Sequence, residues 1–263
     1  MSLTLTAVPA FTDNYIWLLH DSEHAMVVDP GAAEPVAKHL DAHDLRLAAV
    51  LITHHHADHI GGLSELLHTH GHPATLVAGP ADARIHALTR VAAETDQISI
   101  PELSLAFNVI AVPGHTRSHI AFYNDRWLFA GDTLFSVGCG RLFEGTPEQM
   151  QRSLDKLTAL PGELQLCCAH EYTASNCRFA LAVEPDNNSL QQRWQQVQGL
   201  RGNDQPTLPV PLAAEMTYNP FLRTRKPGVA AAAAEHAGLP AAQADLLPPA
   251  RVMAIIRAWK DQF

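Results

Sequence analysis

The chain has 263 residues, 47% of them hydrophobic and 17% charged, with a formal net charge of -9. That length accommodates one large domain, or a domain with an appendage, around a sizeable core. The acidic balance, with no clustered positive patch to offset it, excludes a nucleic-acid-binding surface, which needs a concentrated positive field.

The first residues, Met1 to Pro9, lack a basic start and a continuous apolar stretch, so they read as a strand and not as an export signal. Nothing approaches the ~18 apolar residues of a membrane span. A cytoplasmic location, no membrane or nucleic-acid partner and a monomeric state are the expectations. Four cysteines, Cys139, Cys167, Cys168 and Cys177, are too few and too irregular for a disulfide framework in a chain this long. The adjacent Cys167 and Cys168 sit in an apolar run and read as small hydrophobes.

In chain order, Leu3–Val8, Tyr15–His20 and Ala25–Asp29 read as strands, the last stopped by Asp29-Pro30-Gly31. Glu34–His43 has helical spacing, with Val36, Ala37 and Leu40 on one face. A strand over Leu47–Ile52 delivers Thr53-His54-His55-His56-Ala57-Asp58-His59, and a helix over Ile60–Leu67 follows the easing bend of Gly61-Gly62. Strand, turn, helix, strand is an α/β layer arrangement. Leu76–Ala78 is a short strand, Asp82–Ala93 a polar helical stretch, and Leu103–Val112 a strand running into Pro113-Gly114-His115. Ile120–Tyr123 and Trp127–Ala130 pair across Asn124-Asp125, and the second of them ends in Gly131-Asp132. Thr146 caps a helix reaching Leu160, with Pro147 at its first position. Leu164–Ala169 is another apolar strand, ending in His170.

The same device recurs: an apolar strand, then a His or Asp at its carboxyl end. It brings His54, His56, Asp58, His59, His115, Asp132 and His170 to one edge of the sheets, where ligands gather in layered folds. In extended chain, residues two apart share a side, so His54 and His56 close on one ion while His55 points away. Seven donors exceed the need of one zinc, which takes about four to six ligands with solvent included. Two divalent ions are therefore expected. His54, His56 and His115 hold the first; Asp58, His59 and His170 hold the second; Asp132 bridges. Zn2+ suits these donors, and so do Fe and Mn. Two ions about 3.5–4 Å apart would share a water and lower its pKa toward neutrality, which points to hydrolysis. His119 reads as an outer partner of the centre. His68, His70 and His72 read as a solvated loop, and His20, His24, His39, His43, His86 and His236 as scattered and exposed.

After Tyr172 strand alternation stops. Helices are expected over Ser175–Val183, Ser189–Val197, Val229–Ala237 and Pro249–Trp259, broken by the Pro-rich Pro206–Pro211. A boundary near Tyr172 divides a metal-binding catalytic domain, 1–172, from a helical unit, 173–263.

Thr-His-x-His-x-Asp-His at 53–59, Pro-Gly-His at 113–115, Gly-Asp at 131–132 and His170 resemble the metallo-β-lactamase superfamily. A narrower resemblance, to the hydroxyacylglutathione hydrolase (glyoxalase II) family, lies in Thr12-Asp13-Asn14-Tyr15, Gly131–Phe135 with Gly138-Cys139-Gly140-Arg141, His170–Thr173, Thr217–Phe221 and Lys260–Phe263. The likeness implies an αββα sandwich of four layers with a smaller, mainly helical C-terminal domain. It also implies hydrolysis of the thioester S-D-lactoylglutathione, and of related S-2-hydroxyacylglutathiones, to D-lactate and glutathione, a step of methylglyoxal detoxification. Its glutathione contacts would fall on Arg141, Phe143, Tyr172, Arg257 and Lys260. The family often has Lys where Arg141 stands and Tyr where Phe143 stands. Arg keeps the charge with a different geometry, and Phe removes a hydroxyl. Asp58 and Asp132 are the expected catalytic carboxylates, Asp58 orienting or deprotonating the water. Other readings are a lactonase or β-lactamase on the same fold, a mononuclear iron oxygenase acting on glutathione persulfide, and a non-catalytic metal or thiol sensor. The helical C-terminal part with Arg257 and Lys260 separates the first of these.

Overall fold

Short apolar runs rich in Leu, Val and Ile open the chain as strands: β1 (Thr4–Ala10), β2 (Asn14–His20) and β3 (His24–Val28) in the computed structural model, which describes residues 3–263. β1 and β2 form an antiparallel hairpin in which Ala10 faces Asn14, and β3 pairs antiparallel with β2. Helix α1 (Glu34–Ala42) then crosses to β4 (Arg46–Leu51), which is parallel to β3. Two short helices follow, α2 (Ala57–Ile60) and α3 (Leu63–His70), before β5 (Leu76–Gly79) and β6 (Arg90–Val91). The six strands lie in the order β1 to β6. Val36 and Leu40 of α1 and Leu63 and Leu66 of α3 pack into one buried cluster with Val27, Val50 and Val77. Burial of each such side chain is worth ~1.5–3 kcal/mol, which is what commits the helices to this sheet.

A second sheet begins with β7 (Gln97–Ile100), β8 (Leu105–Ala111), β9 (Ile120–Tyr123) and β10 (Trp127–Gly131), each antiparallel to the next. The expected turn at Asn124 is present: its Oδ1 accepts from the backbone N–H of Arg126 and of Trp127. Next come the two-stranded pair β11 (Leu134–Phe135) and β12 (Gly138–Cys139), and then α4 (Pro147–Thr158). Thr146 and Gln149 form a reciprocal capping box at the start of α4, as the sequence suggests for Thr146. β13 (Gln165–Cys168) leads into α5 (Thr173–Val183) and α6 (Asn188–Arg201); β14 (Val210–Pro211) pairs with Gln165 and Leu166, and α7 (Leu212–Tyr218), α8 (Pro227–His236) and α9 (Pro249–Gln262) complete the chain.

Packing divides the molecule into two units that do not follow chain order. The first runs to Ala111 and adds Ser118–Gly131 and Cys167–His170; the second comprises Val112–Arg117, Asp132–Leu166 and Glu171–Phe263. The sequence places a boundary near Tyr172. The packing unit reaches further back because Asp132–Leu166 is bound to the helical part, through Ser136 and Val137 to Glu215, Gln151 to Thr224 and Asp155 to Arg225.

Several local expectations are corrected. Residues 82–93 are not helical: Asp82 takes hydrogen bonds from the Arg84 backbone and guanidinium, Ala87 has a left-handed φ of 67°, and Arg90–Val91 form a strand. Helix starts at Ala57, not Ile60, and breaks at Gly61-Gly62. β7 and α7 are additional elements. His20, His39 and His43 are not scattered: their rings lie 4.3–5.8 Å apart, His39 with His43 at the shortest distance.

Candidate metal centre and substrate cavity

β4 stops at Leu51, so Thr53–His56 is extended chain beyond the ladder. Thr53 is held there by Asp29, which follows β3. Asp29 accepts from the Thr53 N–H at 2.7 Å, from the Thr53 hydroxyl at 2.6 Å and from His59 Nδ1 at 3.1 Å. It is buried, and its own backbone is left-handed, φ 53°. The Thr53 hydroxyl in turn sits 3.1 Å from His54 Nδ1, and His54 Nε2 lies 3.1 Å from His56 Nδ1. His55 turns the other way, with Nδ1 3.4 Å from Asp82. His119 stacks on His54, centroids 4.6 Å apart.

Helix α2 then re-aims Asp58 and His59. Asp58 Oδ2 is 3.5 Å from His59 Nε2 and 3.4 Å from His170 Nε2, and donor atoms of these three residues all lie within 4.8 Å of one another. His170 follows β13, with Nδ1 2.8 Å from Asp13 Oδ1.

His115 and Asp132 belong to the second unit. His115 Nδ1 donates to the Arg141 carbonyl at 2.9 Å, and Nε2 faces Asp132 Oδ2 at 3.4 Å. Gly140 lies against both: a Cβ there would stand 1.9 Å from the Asp132 carbonyl oxygen and 3.1 Å from His115 Nδ1. Only a residue without a side chain fits.

His115 and Asp132 also line a cavity of about 480 Å³ whose wall includes Cys139, Arg141, Phe143, Tyr172, Asn176, Arg257 and Lys260. Arg257, which from the residues alone reads as a solvated helix end, is buried: Nη1 donates to the Cys139 carbonyl at 2.8 Å and Nη2 to Asp261 at 3.0 Å. Lys260 donates to the Ser175 carbonyl at 3.3 Å. Burial, then the charges of Arg257, Arg178 and Arg141, bring its ammonium pKa down to about 8. Arg141 pairs with Asp261 at 3.2 Å. Phe143 is 63% exposed, its ring edge-on to His115, and Tyr172 packs edge-on against Phe135. Cys139 is buried and its thiol is pushed up to about 11 by desolvation, so it is not a thiolate nucleophile at neutral pH.

The donor set fits a divalent cation. In His59, His170 and His115 one ring nitrogen is engaged by a carboxylate or carbonyl, which turns the other toward a second donor. That fixed tautomer with an outward partner is the habit of metal-ligating imidazoles. Two supports escaped sequence reasoning. Asp29 follows the same strand-then-carboxylate pattern as the ligands but was legible only as a turn. Glu215, fully buried, accepts from Ser136 and the Val137 N–H at 2.7 Å each and so braces the β11–β12 turn beside the cavity. Among the described residues no helix is long and apolar enough to cross a membrane.

Residues 10–170 match the metallo-β-lactamase superfamily, and residues 171–263 match the hydroxyacylglutathione hydrolase C-terminus. A hydroxyacylglutathione hydrolase of Xanthomonas campestris pv. campestris (strain B100) is 48% identical over 99% of this chain and 99% of its own. One from Vibrio cholerae serotype O1 (strain M66-2) is 49% identical over 99% of this chain and all of its own, 100%. Among solved structures, the B3 metallo-β-lactamase BLEG-1 superposes with a TM-score of 0.62 at 20% identity, covering 84% of this chain and 99% of that one. The fold is thus the metallo-β-lactamase fold with a helical C-terminal part, and the His and Asp clusters are those of a divalent-metal site. With near-complete coverage at nearly half identity and both characteristic parts present, the chain belongs to the hydroxyacylglutathione hydrolase family of the metallo-β-lactamase superfamily.

Proposed function

We propose that the chain hydrolyses S-D-lactoylglutathione and related S-2-hydroxyacylglutathiones to the free 2-hydroxy acid and glutathione, within methylglyoxal detoxification. The observation that carries this reading is the cavity in which His115 and Asp132 share one wall with Arg141, Arg257 and Lys260. Glutathione has two carboxylates, and an acidic protein that binds it must concentrate cations locally. Here a buried guanidinium and a half-buried ammonium do so beside a His–Asp pair.

The proposed ligands are His54, His56 and His115 for one ion and Asp58, His59 and His170 for the other, with Asp132 common to both and Zn2+ as the metal. When bound, such ions supply Lewis acidity to the thioester carbonyl and lower the pKa of an attacking water. Asp58 orients that water and takes its proton. Arg257, Lys260 and Arg141 hold the glutathione carboxylates; Tyr172 and Phe143 flank its peptide. The departing thiolate needs no acid, since its conjugate acid has a pKa of about 8.5. The division of labour we propose sets catalysis in 1–172 and glutathione binding in 173–263, supported by where the two family matches meet. A cytoplasmic monomer is the proposed working form.

Loss of thioester absorbance from S-lactoylglutathione, with metal analysis of the same sample, tests this. Turnover with two ions per chain is expected. Hydrolysis of a lactone or β-lactam with no action on the thioester would overturn it.

A further inference from the structure

The β1–β2 loop is a tight hairpin tip, closed by the Ala10–Asn14 pair and turned by Phe11 at a left-handed φ of 52°. Two consecutive side chains on it reach two of the proposed ligands of the same ion. Asp13 Oδ1 lies 2.8 Å from His170 Nδ1, and Asn14 Nδ2 donates to Asp58 Oδ2 at 3.1 Å. That oxygen is the one facing His59 and His170. The backbone repeats the connection: Asn14 forms an isolated antiparallel bridge with His170, and Tyr15 N–H donates to the Ala169 carbonyl at 2.7 Å. Asn14 is buried. A buried amide needs hydrogen-bond partners, so it holds the Asp58 carboxylate as firmly as it is held.

We propose that Asp13 and Asn14 are positioning residues for the Asp58–His59–His170 ion site. Asp13 fixes the His170 tautomer that leaves Nε2 as the ligand atom, and Asn14 fixes which Asp58 oxygen faces the ion. Neither touches substrate. Asp58 and His170 come from different loops, and the hairpin tip is the strap that sets their separation. The inference rests on the ligand assignment proposed above.

The test measures affinity for each ion by competition with a chromophoric chelator, together with 15N NMR of the His170 ring in the metal-free protein. Asp13→Ala should weaken one ion by ~10–100-fold, the usual cost of removing an imidazole's outer partner, and leave the other unchanged. The His170 spectrum should change from one tautomer to a mixture. Asp13→Asn should restore part of the affinity, and Asn14→Ala should show a smaller loss at the same ion. Parental affinity for both ions in Asp13→Ala and Asn14→Ala would overturn the proposal. So would equal weakening of both ions with an unchanged His170 spectrum, which would mark a purely structural role. His170→Ala separates the two levels: if it keeps both ions at parental affinity, the ligand assignment fails and the strap with it. If it loses an ion while Asp13→Ala keeps both, only the strap fails.

Discussion

The turn from His54 to His59 draws its donors from consecutive residues, whereas the cavity gathers Arg141, Tyr172, Arg257 and Lys260 from stretches far apart in the chain. The two regions are also braced differently. At the turn one buried carboxylate, Asp29, holds both Thr53 and His59, while Asn14 holds the Asp58 carboxylate. The cavity wall is held piecemeal: Arg257 to the Cys139 carbonyl, Lys260 to the Ser175 carbonyl, Glu215 to the Ser136–Val137 backbone and hydroxyl. A shared brace makes Thr53 and His59 stand or fall together. Distributed bracing lets the cavity be altered one contact at a time.

That contrast can be broken most sharply at the metal centre. Asp132→Ala should lose metal and activity together, lowering kcat by at least ~10³-fold, because an uncompensated site loses both its charge balance and its Lewis acid; metal analysis and thioester turnover read this jointly. Asp29→Ala should weaken metal binding ~10–100-fold and lower the melting temperature, since it also strips the buried Thr53 and His59 donors of their acceptor. If Asp29→Ala behaved like the parent, the shared-brace account of Thr53 and His59 would be wrong. At the cavity, Arg257→Ala should raise KM by ~10–100-fold, as expected for a charge-assisted contact worth about 1.5–3 kcal/mol, with kcat changed far less.

The pH dependence sharpens the cavity side. Lys260 is a cation below its pKa of about 8 and loses that charge as pH rises through it. KM for the anionic substrate should therefore climb above pH 8 in the wild type, and Lys260→Arg should flatten the climb, because a guanidinium stays charged. The smallest effect belongs to Phe143→Tyr: the ring is 63% exposed, so a restored hydroxyl should lower KM by only ~2–5-fold, the worth of one solvent-competed hydrogen bond.

The strands and helices that bury an apolar face were legible from β1 to β4, and again in α4, α5, α6, α8 and α9, because burial and periodicity agree there. The ligand turn was legible for the same reason in reverse: imidazoles and carboxylates ending an apolar strand have no packing explanation. Residues 82–93 misled because helix-forming Ala and Arg residues were overridden by side-chain contacts to Asp82 and a left-handed Ala87. β7, four residues with a buried-exposed alternation, was too short to stand out between the stretches assigned on either side of it. Glu215 gave no signal, since a single Glu in a helix reads as solvent-facing until the tertiary structure places Ser136, Asn219 and Tyr218 around it. The clustering of His20, His39 and His43 likewise depends on the end of α1 meeting the end of β2, which spacing along the chain does not encode.

Gly140 bears on how this protein can change over generations. Its Cα carries no substituent because the Asp132 carbonyl and the His115 imidazole occupy that space, so even alanine would have to push a proposed ligand aside. Three positions on, Phe143 is largely exposed and has room for other side chains. Substrate preference can therefore drift along this loop while its root stays locked, within the limit set by the contact of the outer ring with His115.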